Sequence, residues 1–422
     1  MPDLSFLLYA LAAVAGCLAL PVLAWYVVTA LWGLAPLRGG VGRPTEKRLR
    51  FAVIVCARHE EAVIGQLLDS LKAQDYPQDS YQMFVIADNC TKDDTAGAAR
   101  AHGATVYERH DEKKVGKGYA LEWALARIRE DYPDRFDAVC VFDADNLAAP
   151  DFLSRMNEAL QNGADVAEGY RETINPGETW VSGCYALYWM FLMRFFYRAR
   201  RNLGMSCMVC GTGFAFKMEV LGPEGWHTRT VTEDCEFSIQ QITAGRTIAF
   251  VSEAVFYDEQ PRDFATSLHQ RFRWLVGAAQ ATYWCMKTVI RGIRAGHRGS
   301  VDMLGFVLAG PAAVLLLLQG VLLLAAALLR AATPVTVLCG VAVSLAVSYV
   351  AVVLAAMLCA ALEKKSIRRL WKSILLFPLF MLPMGFMPVA ALIHPRVGWK
   401  PIEHRRTSTI DEVVRSEDLH TR

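Results

Sequence analysis

Four stretches of this chain contain no charged residue at all: Leu4–Leu37, Leu304–Leu329, Ala331–Leu362 and Ser373–Ile393. At about 1.5 Å per residue each is long enough to cross a hydrocarbon layer roughly 30 Å thick, which excludes an ordinary soluble protein. Of the 11 cysteines, only Cys207 and Cys210 in "CMVC" have a zinc-like spacing. Buried free thiols in a reducing compartment are therefore expected, not disulfides or a metal cluster. The net charge is only +2 and no basic stretch interleaved with aromatics is present, so no nucleic-acid partner is expected. There is no internal repeat and no low-complexity tract, and nothing specifies an oligomeric state.

The flanks of the apolar stretches organise the rest. "MPDLS" carries no Lys or Arg, and the run behind it is too long for the apolar region of a signal peptide, so it reads as a retained anchor. Arg38, Arg43, Lys47, Arg48 and Arg50 follow at once, which places the N-terminus outside and the charged segment Arg38–Asp302 in the cytoplasm. The two stretches after Leu304 form a hairpin that returns at "EKKSIRR". The last stretch is interrupted by Pro378, Pro383 and Pro388, with Pro395 beyond it. A straight crossing there would leave a basic tail outside, so a broken or re-entrant segment with a cytoplasmic tail is expected. The chain thus divides into an anchor (1–37), a cytoplasmic domain (38–260), an interfacial region (261–302), a C-terminal membrane region (303–395) and a tail (396–422).

Within the cytoplasmic domain, "FAVIVCA", "QMFVIAD" and "DAVCVFD" are short apolar runs, each ending in polar residues. The first two lead into helix-like sequence. That pattern predicts an α/β domain with a mostly parallel sheet, whose ligands bind beyond the carboxyl ends of the strands. One edge then collects Ala57, Arg58 and Glu60 from the first run, Asp88 from the second, and Asp143, Ala144 and Asp145 from the third. Two carboxylates flanking a small residue after a strand can converge on a hard cation such as Mg²⁺ or Mn²⁺, although the same triplet also occurs in plain turns. Asp88 can accept from a base or ribose, or open the next helix as a turn residue. Lys117 lies between Gly116 and Gly118 ahead of a helix, which suits an anionic diphosphate, but the spacing is not that of a P-loop.

Further along, Gly211 and Gly213 bracket Thr212 in "CGTGFAF", marking close backbone approach or a bulge. In "TEDCEF", Thr232 as an N-cap with Glu233, Asp234 and Glu236 in the first turn accounts for every residue without chemistry, yet a carboxylate pair also suits proton transfer. Gln270, Arg273 and Trp274 sit in "QRFRW", inside an aromatic and basic helix pattern that reads as lying at the membrane surface. "WVSGCYALYWMFLMRFFYRARR" reads as a second such helix.

In this order, "VIVCARHEE", "ADNCTKDDTA", "GKGYALEWAL", "FDADN", "GTGFAF", "TEDCEF" and "QRFRW" resemble the membrane-integrated family 2 inverting glycosyltransferases, the group of bacterial cellulose, hyaluronan, chitin and poly-N-acetylglucosamine synthases. The resemblance implies a GT-A-like domain joined to transmembrane and interfacial helices in a bacterial inner or plasma membrane. It also implies transfer of Glc or GlcNAc from a UDP-sugar to a growing polysaccharide. Ala57, Arg58, Glu60, Asp88, Lys117 and Ala144 would bind the nucleotide sugar, and Asp143 and Asp145 would hold Mg²⁺ or Mn²⁺. Asp234, beside Glu233, would be the general base. Thr212, Gly213, Gln270, Arg273 and Trp274 would line the acceptor and diphosphate end. Trp399 and His404 fall where related synthases carry a gating loop. Arg271 replaces the second glutamine of the family's common pattern, a variant that also fits a single transfer to a lipid acceptor. A transporter or scaffold with a nucleotide-binding domain is the reading from another class, but Leu304–Leu329 offers it only Gln319 as a polar residue.

Overall fold

The computed structural model describes residues 3–38, 45–331, 333–394 and 408–420. Its centre is an eight-stranded mixed sheet of order β3-β2-β1-β4-β7-β6-β8-β5. The strands are β1 (Phe51–Ala57), β2 (Tyr81–Asp88), β3 (Thr105–Arg109), β4 (Ala138–Asp143), β5 (Leu147–Ala148), β6 (Val166–Thr173), β7 (Phe214–Lys217) and β8 (Ile248–Asp258). Strands β3, β2, β1 and β4 are parallel, whereas β7 runs antiparallel between β4 and β6. The parallel strands β1, β2 and β4 are largely apolar because both faces are covered. Ala52, Ile54, Phe84 and Val141 enter one core, and Val53, Val55, Val85 and Phe142 the other. The helices α2 (Ile64–Lys72), α3 (Thr95–Ala101) and α5 (Phe152–Gln161) cover the second face, and α4 (Lys117–Asp131), α6 (Trp180–Leu192) and α8 (Glu233–Thr243) the first.

Four helical segments are long and apolar enough to cross a membrane: 4–34, 299–330, 334–362 and 367–393. The first contains α1 (Leu4–Leu31) and the second is α10 (Gly299–Arg330). They pack antiparallel: Trp25 Nε1 donates to Asp302 (2.7 Å), Gly16 faces Gln319, and Arg330 Nε donates to Ser5 Oγ (2.9 Å). The third, α11 (Pro334–Leu362), exposes most of its apolar side chains. The fourth is broken as its prolines predict, into α12 (Ile367–Met381), a 3₁₀ turn at Leu382–Gly385 and α13 (Met387–Ile393). Here α12 packs along α6, and α13 packs against α10 and α9 (Phe264–Arg294). The last helix, α14 (Ile410–His420), buries Val413 against Leu147, Ile174 and Tyr257, so the tail returns to the α/β domain. Trp399 and His404 lie outside the described residues.

The stretch Trp180–Arg201 is not a surface helix. It forms α6, a π-helical turn at Met193–Arg198 and α7 (Ala199–Leu203), and most of α6 is buried. A helix apolar on all sides belongs in a core, which the Arg-rich end obscured. Those arginines serve as ties. Arg194 pairs with Glu363 (2.6 Å), Arg198 donates to the Ala35 carbonyl (2.9 Å), Arg200 pairs with buried Asp302 (2.9 Å), and Arg201 pairs with Glu253 (2.8 Å). One segment thereby fastens the sheet to the ends of three long apolar helices.

Candidate active site

The register of the parallel strands brings their charged ends together: Cys56 lies opposite Asp143, and Asp88 opposite Arg109. Asp88 is 6% exposed, and its carboxylate is held between two guanidiniums, Arg58 (2.9 Å) and Arg109 (2.6 Å). Arg58 also donates to the Asp88 carbonyl (2.9 Å), which fixes the strand ends to each other. The turns after β1 and β2 are locked in the same way. Glu60 N–H donates to Thr95 Oγ1, and Asp93 accepts from Glu61 N–H. Ala57 is buried at the end of β1. Arg109 escapes the sequence reading because "TVYER" is a short, partly exposed edge strand with no continuous apolar run.

At the next strand end Asp143 closes β4, and buried Ala144 separates it from half-buried Asp145. Lys117 donates to Asp143 and to the Gly211 carbonyl (2.7 Å). Burial works against the Lys117 charge, but Asp143 and Glu233 outweigh it and raise the pKa, so the ammonium stays protonated. No cluster of three or more His, Cys, Asp or Glu gathers among the described residues. Two strand-end carboxylates nonetheless fit Mg²⁺ or Mn²⁺, because such ions complete their shell with water and substrate phosphate oxygens.

Glu233 and Asp234 open α8 beside this cluster. Thr232 precedes them but does not cap the helix: its hydroxyl makes no hydrogen bond among the described residues. Glu236 reaches back instead, accepting from the Arg229 (2.7 Å) and Thr230 (2.8 Å) N–H groups and fixing the entry to α8. Asp234 Oδ1 accepts from the Cys235 N–H (2.8 Å), and its Oδ2 faces Gly211, whose φ of +88° favours glycine. A Cβ at Gly211 would stand 3.4 Å from that oxygen. Burial raises the pKa of both carboxyls. On Glu233 the Asp234 charge adds to the rise, while Lys117 and Arg273 draw both back. The pair therefore holds a proton more readily than surface carboxylates do.

The start of α9 forms the opposite wall. Gln270 accepts from the Tyr185 hydroxyl (2.6 Å), and Trp274 stacks on Tyr188 (6.0 Å, 18°) and meets Tyr185 and Trp189 edge-on. Arg271 is completely buried, donates to the Phe380 carbonyl of α12, and lies 3.9 Å over the Phe380 ring. Thr212 and Gly213 do not belong to this wall. Thr212 is fully buried, and its hydroxyl accepts from the Asp143 N–H (2.8 Å). Gly213 (φ +67°) is pressed against the Phe256 ring, where a Cβ would overlap it. Both support the Asp143 turn because β7 pairs directly with β4. Asp143, Lys117, Glu233, Asp234 and Arg273 are thus drawn into one charged cluster, flanked by Asp88 on one side and the aromatic wall on the other. A separate cavity of about 330 Å³, lined by residues including Arg38, Arg201 and Thr247, adjoins the starts of β6 and β8 and shares no residue with the cluster.

A protein-family model described as "Glycosyltransferase like family 2" matches residues 48–277. The chain is 29% identical over 272 residues to the beta-monoglucosyldiacylglycerol synthase of Nostoc sp., an alignment covering 61% of this chain and 54% of that protein. It is 26% identical over 243 residues to the probable glycosyltransferase YdaM of Bacillus subtilis, covering 54% and 55%. The chain spans about half the length of the curated relatives it matches. A solved mannosyltransferase from Pyrobaculum calidifontis, in complex with GDP-Man and Mn²⁺, aligns over 92% of this chain and 98% of its own, with a TM-score of 0.62 and 20% identity. That likeness establishes the shared fold. None of these matches singles out the cellulose, hyaluronan, chitin and poly-N-acetylglucosamine synthases.

Proposed function

We propose, for a chain that belongs to glycosyltransferase family 2, a single inverting transfer of a hexose, Glc or GlcNAc, from a UDP-sugar to the hydroxyl of a membrane lipid. The lipid acceptor replaces the growing polysaccharide expected from sequence. The observation that carries it is the seating of the acceptor wall on a membrane segment. Arg271 of α9 holds the Phe380 carbonyl, and Tyr185, which donates to Gln270, meets the Phe380 ring edge-on at 5.2 Å. A hydroxyl carried by a lipid would reach the charged cluster from that side. The Nostoc relative, a diacylglycerol glycolipid synthase by its name, agrees with this reading.

In the proposed reaction the acceptor oxygen attacks the anomeric carbon opposite the UDP leaving group and gives its proton to Asp234. The new C–O bond forms as the bond to the diphosphate breaks, so a single displacement inverts the anomeric configuration. Lys117 and Arg273 stabilise the negative charge that develops on the departing diphosphate. Asp143 and Asp145 would hold a Mg²⁺ or Mn²⁺, which supplies further charge neutralisation there. Asp88, between Arg58 and Arg109, binds the nucleoside end. Burial raises the proton affinity of the base, and the Lys117 and Arg273 charges draw it part of the way back. We assign this domain to the cytoplasmic face of a bacterial inner or plasma membrane, a reading supported by the four long apolar segments and by the basic residues that follow the first of them.

The test is incubation of the purified protein with Mg²⁺ or Mn²⁺, diacylglycerol and a panel of nucleotide sugars, with NMR of the product. A β-linked glycolipid from an α-linked UDP-sugar is expected. Retention of configuration, or no transfer from any donor, would overturn the reading.

A further inference from the structure

Asp143 is held by more than its own strand. Its N–H is shared between the Thr212 hydroxyl (2.8 Å) and Asn146 Oδ1 (3.2 Å), and the Thr212 hydroxyl in turn donates to the same Asn146 oxygen. Asn146 is 1% exposed, and its amide nitrogen donates to Asp258 Oδ1 (2.9 Å). Asp258 ends β8 and is 7% exposed. Its second oxygen accepts from Gln260 Nε2 (2.6 Å) and pairs with Arg171 (3.2 Å). Beyond it, Gln260 Oε1 accepts from Trp189 Nε1 (3.2 Å), and the Arg171 guanidinium lies 4.1 Å over the Trp189 ring. Trp189 packs edge-on against Trp274.

The orientation of both side-chain amides in this run of hydrogen bonds is fixed by one group. Asp258 offers only acceptor oxygens, so Asn146 must present its NH₂ to it and its carbonyl oxygen to the Asp143 turn. Gln260 must likewise turn its NH₂ to Asp258 and its oxygen to Trp189. A buried network of this kind specifies one arrangement when fully satisfied, and it fails as a unit when a member cannot make its bonds. One end is the turn that carries the candidate cation ligands; the other is the aromatic wall for the acceptor.

We propose that Asp258 is a positioning residue that couples these two ends: it orients Asn146, and through it Asp143, and orients Gln260, and through it Trp189 and Trp274. The inference rests on the proposed transfer reaction for the roles of its two ends. It predicts that one substitution, at a residue that is neither a candidate cation ligand nor part of the aromatic wall, disturbs cation binding and acceptor use together. Asp258→Asn keeps the shape, but with its oxygen toward Gln260 and Arg171 it turns an NH₂ toward the Asn146 NH₂. The double variant Asn146→Asp with Asp258→Asn restores a donor facing an acceptor at that junction.

The test uses the full-length protein in lipid nanodiscs, with Mn²⁺ affinity read by electron paramagnetic resonance in the presence of UDP, acceptor KM read by transfer kinetics, and melting temperature read in parallel. Asp258→Asn is expected to weaken Mn²⁺ binding about 10-fold, the scale of groups that orient metal ligands, and to raise the acceptor KM. The double variant should recover most of both. If Asp258→Asn lowers only the melting temperature, or if the double variant is as impaired as the two single changes added together, the coupling is overturned. If Asp258→Asn does not fold, the double variant decides: near-wild-type Mn²⁺ binding supports the inference, and weakened binding in a folded protein overturns it. An absence of transfer by the unaltered protein would overturn the functional reading, while the Mn²⁺ and UDP measurements would still decide the orientation of the Asp143 turn.

Discussion

The proposed donor and acceptor sides of the site are built by different means. On the donor side the charges answer one another directly: Asp88 sits between Arg58 and Arg109, and Asp143 pairs with Lys117. On the acceptor side the wall is aromatic, and its buried guanidinium, Arg271, is met by a carbonyl and a ring from a broken membrane segment, with no carboxylate partner among the described residues. A donor edge held by ion pairs at strand ends is the property of the α/β domain alone. The acceptor wall exists only where α6, α9 and α12 meet. Changes at Asp88 or at Arg271, neither of which belongs to the Asp258 network, should therefore leave the other side intact, and the proposed base, Asp234, lies at their junction.

The largest effect is expected at that junction. Asp234→Asn should lower kcat by about 10²–10⁴-fold, the usual contribution of a positioned general base, with UDP affinity unchanged by calorimetry. Wild-type transfer by this variant would remove Asp234 from the role.

On the donor side, Asp88→Ala leaves buried Arg109 and partly buried Arg58 without their shared carboxylate. A loss of about 3–5 kcal/mol in stability is expected, with weaker UDP binding and an unaltered acceptor KM in whatever protein folds. Denaturant unfolding and calorimetry check it.

On the acceptor side, Arg271→Met should leave UDP affinity unchanged and raise the KM for the lipid acceptor, with about 1–3 kcal/mol of stability lost through the unpaired Phe380 carbonyl. A change in UDP affinity alone would break the division between the two sides.

The smallest effect concerns pH. Because burial raises the carboxyl pKa values of the Glu233–Asp234 pair, the acid limb of kcat/KM should lie above the ordinary carboxylate range, the rate falling as pH drops through it. Stability has the opposite sign. The folded state binds protons more tightly than the unfolded state, so the pair favours folding below the unfolded carboxylate pKa, and that contribution is lost as pH rises through the folded values. Glu233→Gln removes one negative neighbour and should move the kinetic limb to lower pH. A limb left in place would contradict the coupling.

The same division governs what could be read from the sequence. The strands β1, β2 and β4 were legible because a buried parallel strand is a continuous apolar run, and the charges that end each run sit at the site. The long apolar helices and the proline break were legible for equally local reasons. What failed was non-local. Arg109 depends on a strand register, the Thr232 cap gave way to Glu236 reaching back from the next turn, and Thr212 and Gly213 turned inward because β7 pairs with β4. The buried segment Trp180–Arg201 reads as a surface helix because the arginines at its end find partners more than 100 residues away, as Arg194 does at Glu363 and Arg200 at Asp302.

The proposed transfer is tested most directly by where the sugar goes. Purified protein in detergent, given radiolabelled UDP-sugar, Mg²⁺ or Mn²⁺ and diacylglycerol, is extracted with organic solvent, and the labelled product is sized by mass spectrometry. Label in the organic phase, at one sugar per lipid, is expected. Label retained in a high-molecular-weight aqueous polymer would contradict the proposed transfer.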